Sequence, residues 1–253
     1  MVGASGYLGS EVCRLAPATG PSSAVLDIRD RAAVLSYVSR ARPQLIVNAA
    51  YRVHDWASCA DGAANVALAA REVNARLVHV STDALHAGRP TPYLDADTPT
   101  PVHTYGAAKA AAETAVAAID PAAVLVRTSL IIGDDRSHQV KLALDLTTGR
   151  RPGKLFTDEI RCPVHVTDLA GAILELAATD YAGLINVAGP EAITRADLGR
   201  LIATSHGLNP ADVPTCPLAE GGLGPRPADV RLDSTRAAVL LKSRLRPVSD
   251  AVA

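Results

Sequence analysis

Tyr105 and Lys109 stand four residues apart in Thr104-Tyr105-Gly106-Ala107-Ala108-Lys109. On a helix, residues i and i+4 share a face, so the ammonium can sit beside the phenol. A free phenol titrates near ~10, and a neighbouring positive charge favours the phenolate. The pair is therefore a proton donor or acceptor whose pKa is drawn toward neutrality, where general acid–base catalysis works best. Upstream lies Ser81-Thr82-Asp83, whose hydroxyls and carboxylate can hydrogen-bond a carbonyl oxygen or position a substrate. Alone, each signal has a plainer explanation: a solvated helix face for the first, a strand-end turn with self-bonded side chains for the second.

The order of motifs gives these residues their context. Gly3-Ala4-Ser5-Gly6-Tyr7-Leu8-Gly9 is a G-x-x-G-x-x-G loop running into Ser10-Glu11-Val12-Cys13-Arg14-Leu15-Ala16, which is apolar at helical spacing. Such a loop lets backbone approach a pyrophosphate, whose charge the following helix N-terminus favours. Between loop and triplet comes Asn48-Ala49-Ala50-Tyr51, where small alanines allow close passage beside a ligand.

In this order the motifs resemble the extended short-chain dehydrogenase/reductase family, and within it the sugar-nucleotide 4-ketoreductase branch of dTDP-4-dehydrorhamnose reductase. Further stretches carry the closer likeness: Arg42-Pro43-Gln44-Leu45-Ile46-Val47-Asn48-Ala49-Ala50, His79-Val80-Ser81-Thr82-Asp83, Pro92-Tyr93, Val126-Arg127-Thr128-Ser129, and Arg226-Pro227-Ala228-Asp229-Val230-Arg231-Leu232-Asp233. The likeness runs over nearly the whole chain and thins between residues 10 and 25 and after 233.

The resemblance implies a Rossmann-like doubly wound parallel sheet with a small C-terminal substrate lobe. It implies reduction of a nucleotide-activated 4-keto-6-deoxysugar with NADPH or NADH, NADPH being the favoured one. Tyr105 would donate the proton. Lys109 would lower its pKa and hold the nicotinamide ribose. Thr82 would bond the carbonyl oxygen, and Asp83 would position substrate or relay a proton. Gly3, Ser5, Gly6, Tyr7, Leu8, Gly9, Ala49, Ala50, Tyr51 and Ser81 would border the cofactor. Arg127, with Arg226 or Arg231, would grip a diphosphate, since guanidinium pairs bidentately with phosphate oxygens. Some relatives form homodimers. Two other readings stand beside this one. One is a reductase of a different small ketone. The other is a non-catalytic binding subunit, as in the regulatory subunit of methionine adenosyltransferase, which resembles the same branch.

Length and composition agree with one α/β unit. The 253 residues are 48% apolar and 20% charged with net charge -1, which gives no reason to expect nucleic acid or a polybasic membrane contact. No apolar run approaches ~20 residues and no signal peptide opens the sequence. Cys13, Cys59, Cys162 and Cys216 are scattered without metal-ligand spacing, as are the seven histidines. The expectation is a cytoplasmic protein with no metal site.

Alternating strand and helix signals predict a parallel sheet covered on both faces. Strands are expected at Leu45 to Asn48, Leu77 to Ser81 and Val124 to Thr128. Helices are expected through Ala32–Tyr37, Gly62–Glu72 and Tyr105–Ala118. Arg89 to Thr104 reads as a surface loop. Residues 1–133 would form the dinucleotide-binding core. Within 134–253, residues near 161–190 would complete that core, and 134–160 with 191–233 would form the substrate lobe.

The amino-terminal half departs from the pattern. Only Met1 and Val2 precede the first glycine, where a strand of about five residues is normal. Between Gly9 and Asn48, Pro17 to Ser23 reads as a turn, leaving Ala24-Val25-Leu26-Asp27 as the one strand candidate. The first two strands are thus expected to be curtailed. Either Asp27 ends strand two and binds the adenosine ribose, which favours NAD, or Leu26-Asp27-Ile28-Arg29-Asp30 follows strand three and Asp27 and Ile28 border the adenine. The second fits better, because the match continues into the next helix.

Overall fold

The computed structural model describes residues 1–222 and 224–252. The glycine-rich start turns into α1 (Tyr7–Leu15), whose Leu8 and Val12 point inward. Helix α2 (Arg31–Ala41) begins where the Asp30 carboxylate accepts a hydrogen bond from the Ala33 N–H at 3.0 Å, an N-cap contact that satisfies one orphan donor. Then follow β1 (Leu45–Asn48), α3 (Trp56–Cys59), α4 (Asp61–Glu72), β2 (Arg76–Thr82), α5 (Thr104–Ile119) and β3 (Val124–Thr128). The carboxyl-terminal half adds β4 (Ile131–Ile132), α6 (His138–Thr147), β5 (Leu155–Phe156), β6 (Ile160–Arg161), β7 (Val164–His165), α7 (Val166–Ala177), β8 (Gly183–Asn186), β9 (Ile193–Thr194), α8 (Arg195–Ser205), β10 (Thr215–Cys216), α9 (Thr235–Leu240) and α10 (Val248–Ala251).

Four strands form the central sheet in the order β1-β2-β3-β8, all parallel. Continuous apolar runs make these strands, as a sheet buried on both faces requires. Alternation sorts the side chains. Val47, Val78, Val80 and Val126 pack with α1 and α7 on one face. Ile46, Leu77 and Leu125 pack with α2, α4 and α5 on the other. Register places Asn48 beside His79 and Thr82 beside Thr128, so the carboxyl ends of β1, β2 and β3 share one edge. A third apolar cluster joins α6, α8 and α10 through Val140, Leu146, Ile202 and Val248, away from the sheet. Among the described residues, no helix is long and apolar enough to cross a membrane.

Strands and helices from Leu45 to Thr128 lie where the sequence puts them, within two residues at their ends. Before β1, Val2 makes an isolated parallel bridge to Asn48. Ala24 to Asp27 forms no strand, against the first of the two alternatives for Asp27 and in keeping with the second: the Val25 and Leu26 N–H groups both return to the Ser22 carbonyl, making a turn. The segment Arg89 to Thr104 is irregular as expected but not wholly superficial, since Tyr93 is buried and bridges Leu232.

Candidate active site

The open edge at the carboxyl ends of β1, β2 and β3 is where a parallel α/β sheet leaves room for a ligand, and a cavity of about 910 Å³ lies there. Its walls include Gly3, Gly6, Tyr7, Leu8 and Gly9 from the amino-terminal loop, Ala49 and Tyr51 after β1, Ser81, Thr82 and Asp83 from β2, and Tyr105 and Lys109 from α5. Motifs separated by more than a hundred residues, from Gly3 to Lys109, thus meet on one surface.

The glycine loop is built for backbone approach. A Cβ at Gly9 would overlap the Gly3 carbonyl oxygen, so the first turn of α1 can fold onto the loop only with glycine at this position. Gly6 is the N-cap and offers no side-chain acceptor, and the first turn carries no acidic residue. The amide groups there are left for an external anion, which the helix dipole also favours. This half of the site fits a dinucleotide diphosphate. Across the loop, the Tyr7 phenol accepts from the Asp134 N–H at 3.0 Å, and burial pushes its pKa to about 12.

Helix α5 presents Tyr105 and Lys109 because its start is fixed twice. His103 Nδ1 accepts from the Gly106 N–H at 3.0 Å. Gly106 itself lies against the Ala84 carbonyl, where a Cβ would collide. The turn over Asp83–Leu85 and the first turn of α5 are therefore in backbone contact, and Thr82 and Tyr105 are placed as a unit. The Thr82 hydroxyl accepts from the Ala84 N–H at 3.2 Å and lies 3.3 Å from Asp83 Oδ1. It caps the turn and faces the cavity at once.

Electrostatics differ from expectation. Burial pushes the Tyr105 phenol well above its ordinary value; Tyr51 and Cys59 add to the rise, and a hydrogen bond from Thr82 opposes it. The Tyr51 and Tyr105 rings lie 5.9 Å apart. The Lys109 amine is turned inward: Nζ donates to the Val80 carbonyl at 2.7 Å and lies 3.2 Å from His79 Nε2. Only 3% exposed, Lys109 has its own pKa lowered to about 8 by burial. The phenol is accordingly held protonated, the form a proton donor needs.

Asp83 is buried and accepts from Ser129 Oγ at 2.6 Å, with Arg161 Nε 3.7 Å away. Burial raises its carboxyl pKa against the pull of Arg161. Glu159 accepts from Arg226 at 3.0 and 3.2 Å and pairs with Arg161 at 3.2 Å. All four of Asp83, Glu159, Arg161 and Arg226 line the cavity, which gives it a charged wall opposite the glycine loop.

Several expected site residues lie elsewhere. Arg127 is fully buried and spends its guanidinium on Glu113 and on the Asp95 and Asp97 carbonyls. It points beneath α5 and is not available to a diphosphate. Arg231 pairs with Asp229 and does not line the cavity. Asp27 is held by Arg29, which also reaches Asp55, and Ile28 is buried against α4; neither borders the cavity. Ser5 is exposed and off the cavity, and Ala50 contributes backbone behind it. The Ser81 hydroxyl is committed to Glu113 at 2.5 Å. Sequence reasoning missed Ser129, Arg161, His103 and His79, and gave Glu159 no role. Their one local signal was adjacency to recognised motifs, and only tertiary folding converts it into position.

The whole chain, residues 1–253, matches the family model described as RmlD substrate binding domain. It is 32% identical to a dTDP-4-dehydrorhamnose reductase of Mycolicibacterium smegmatis, over 99% of this chain and 81% of that protein. It is 30% identical to a dTDP-4-keto-6-deoxy-D-glucose reductase of Streptomyces niveus, over 96% of this chain and 92% of the relative. Among solved structures, the Bacillus anthracis dTDP-4-dehydrorhamnose reductase in complex with NADP superposes with a TM-score of 0.89 at 26% identity, covering 99% of this chain and 95% of that one. The chain belongs to the RmlD substrate binding domain family.

Proposed function

We propose that this protein is a reductase of a sugar nucleotide, converting the keto group of a 4-keto-6-deoxysugar to an alcohol at the expense of NADPH. The observation that carries the proposal is the meeting of Thr82, Tyr105 and Lys109 in one cavity with an uncapped helix N-terminus. The relatives named for reduction of dTDP-linked keto sugars, and the NADP complex of a structural neighbour, support substrate class and cofactor.

When bound, the cofactor supplies hydride to the carbonyl carbon. Tyr7, Leu8 and Gly9 would hold its diphosphate with backbone N–H groups, while the Gly6 N–H closes the turn on the Gly3 carbonyl. Ala49 and Tyr51 would border its middle. As the carbonyl oxygen gains negative charge, Thr82 Oγ1 and the Tyr105 phenol stabilise it by hydrogen bonding, and Tyr105 gives up its proton. The raised phenol pKa keeps that proton in place until an alkoxide, the stronger base, forms. Asp83, held by Ser129 and Arg161, orients the Thr82 turn and the substrate hydroxyls. Arg226 is the arginine available to a substrate phosphate, provided Glu159 shares it. The substrate lobe would comprise residues 134–160 and 191–233, supported by the separate apolar cluster around α6 and α8. Unpaired Cys13, Cys59, Cys162 and Cys216 fit a reducing cytoplasm, and a homodimer is the expected assembly by analogy with some relatives.

One observation favours a second reading, a non-catalytic binding subunit: Asp27 and Ile28 are withdrawn from the cavity, so the adenosine end of a dinucleotide has fewer partners. Calorimetric titration with NADPH and NADH separates the two. Saturable NADPH binding with NADPH consumption on adding a dTDP-4-keto-6-deoxysugar supports the reductase. Absence of binding at millimolar cofactor supports the binding subunit.

A further inference from the structure

Behind the cavity, a chain of buried polar groups runs from Lys109 through His79 to Asn48, the last two being residues that the reaction as described does not use. The Ala50 N–H donates to Asn48 Oδ1 at 3.2 Å. Asn48 Nδ2 lies 3.2 Å from His79 Nδ1, and His79 Nε2 lies 3.2 Å from Lys109 Nζ, which donates to the Val80 carbonyl. Asn48 and His79 are each 1% exposed and Lys109 3%, so the chain's partners are set by the protein itself, with Lys109 alone reaching the cavity. Polarity along the chain is fixed from one end. Ala50 can only donate, so the facing Asn48 atom is the carbonyl oxygen, and the amide nitrogen faces His79. A primary amide nitrogen only donates, so Nδ1 of His79 accepts. A neutral imidazole carries one proton, which must therefore sit on Nε2 and point at Lys109. An N–H pointing at nitrogen requires a lone pair there, which the amine has and the ammonium lacks. The arrangement in the structure is that of the uncharged lysine.

We infer that His79 couples the charge of Lys109 to the Asn48 amide: to become an ammonium ion, Lys109 requires His79 to shift its proton from Nε2 to Nδ1 and Asn48 to turn, releasing the Ala50 N–H. The shift is balanced. One proton is taken from solvent by Lys109, His79 exchanges tautomers without changing charge, and Asn48 Oδ1 then accepts from Nδ1–H. His79 is a positioning residue, acting through Lys109. The released Ala50 N–H lies beside the glycine loop, where an acceptor on a bound dinucleotide would take it up. The consequence for cofactor binding rests on the reductase reading; the coupling itself does not.

The groups around Lys109 permit such a switch near neutrality. His79 faces it from β2, Cys59 from α3, and Glu113 and Tyr105 from its own helix; Arg127 of β3 is occupied by Glu113. Burial lowers Lys109 to about 8, with Cys59 and Glu113 opposing, and burial with the nearby lysine keeps His79 neutral. The two forms therefore exchange within an accessible pH range.

Nitrogen-15 NMR of imidazole-labelled full-length protein reports the tautomer directly. The expected result is an Nε2–H signature for His79 at pH 9.5, inverting to Nδ1–H by pH 6.5, with the Nε2–H form no longer giving way in Lys109→Met. Asn48→Asp should lock Nδ1–H across the range, because a carboxylate accepts from both Ala50 and His79. A single tautomer throughout the wild-type titration, or an inversion that persists in Lys109→Met, would overturn the inference. No cofactor or turnover enters this measurement, so it fails or stands separately from the reductase reading.

Discussion

Replacing Arg127 with Met separates an arginine that grips a ligand from one that holds the fold. Arg127 is 0% exposed and Glu113 4%. Their contact is a fork, with Nε at 3.1 and 3.2 Å and Nη2 at 2.8 Å from the carboxylate. Arg127→Met strands a buried carboxylate, which costs about 3–5 kcal/mol. At about 2–4 °C per kcal/mol for a chain of this size, the melting temperature should fall by roughly 6–20 °C. The double variant Arg127→Met with Glu113→Leu removes the charge with its partner. What remains is loss of the Asp95 and Asp97 carbonyl contacts, which the single variant loses too, and of the Ser81 acceptor, about 1–3 kcal/mol for that one group. The double variant should therefore be more stable than the single one. Urea unfolding at constant pH reads both values. An Arg127→Met protein within 1 kcal/mol of wild type, but with a raised KM for sugar nucleotide, would refute the assignment and return Arg127 to the ligand.

Gly106→Ala drives a Cβ into the Ala84 carbonyl; the expected outcome is a loss of about 1–3 kcal/mol in unfolding together with a fall in kcat, since the Thr82 turn and Tyr105 share that contact. Thr82→Val should lower kcat about 10²–10³-fold while leaving NADPH affinity near wild type by calorimetry. Glu11 ties α1 to α7 through Thr167 at 2.5 Å and is held by Arg14 at about 2, against an ordinary 4.5. Its folded-state pKa is depressed, so its contribution is complete above pH 4.5 and disappears as pH falls toward 2; Glu11→Gln should flatten acid unfolding in that window. Lys109 has the opposite consequence: with a folded value of about 8 against 10.5 unfolded, stability should rise with pH between these values, a slope absent in Lys109→Met.

The sheet was readable because each of its runs is short, apolar and bounded. Ile46-Val47, Leu77-Val78 and Val124-Leu125-Val126 need two covered faces wherever they sit. The cavity's motif residues were readable for a related reason: Thr82 ends β2, Tyr105 opens α5, and strand ends in a parallel sheet converge. Arg127 misled because its motif neighbours are genuine, while the direction of its side chain depends on Glu113, fourteen residues earlier and on another element. Asp27 left two alternatives open for a different reason: four apolar-to-acidic residues match a strand end, and only the fold shows that they form a turn. The direction of the lysine amine was not legible, since helical spacing sets proximity while burial and the Val80 carbonyl decide where the amine turns.

The most direct test of the reductase reading is transfer of label from deuterated NADPH. Wild-type protein, a dTDP-4-keto-6-deoxysugar and NADPH deuterated on the transferring carbon of nicotinamide should yield an alcohol with one deuterium on the former carbonyl carbon. Tyr105→Phe, folded and still binding NADPH, should yield almost none. Unlabelled or absent product from wild-type protein that binds both NADPH and the sugar nucleotide would contradict the account and leave a binding protein in its place.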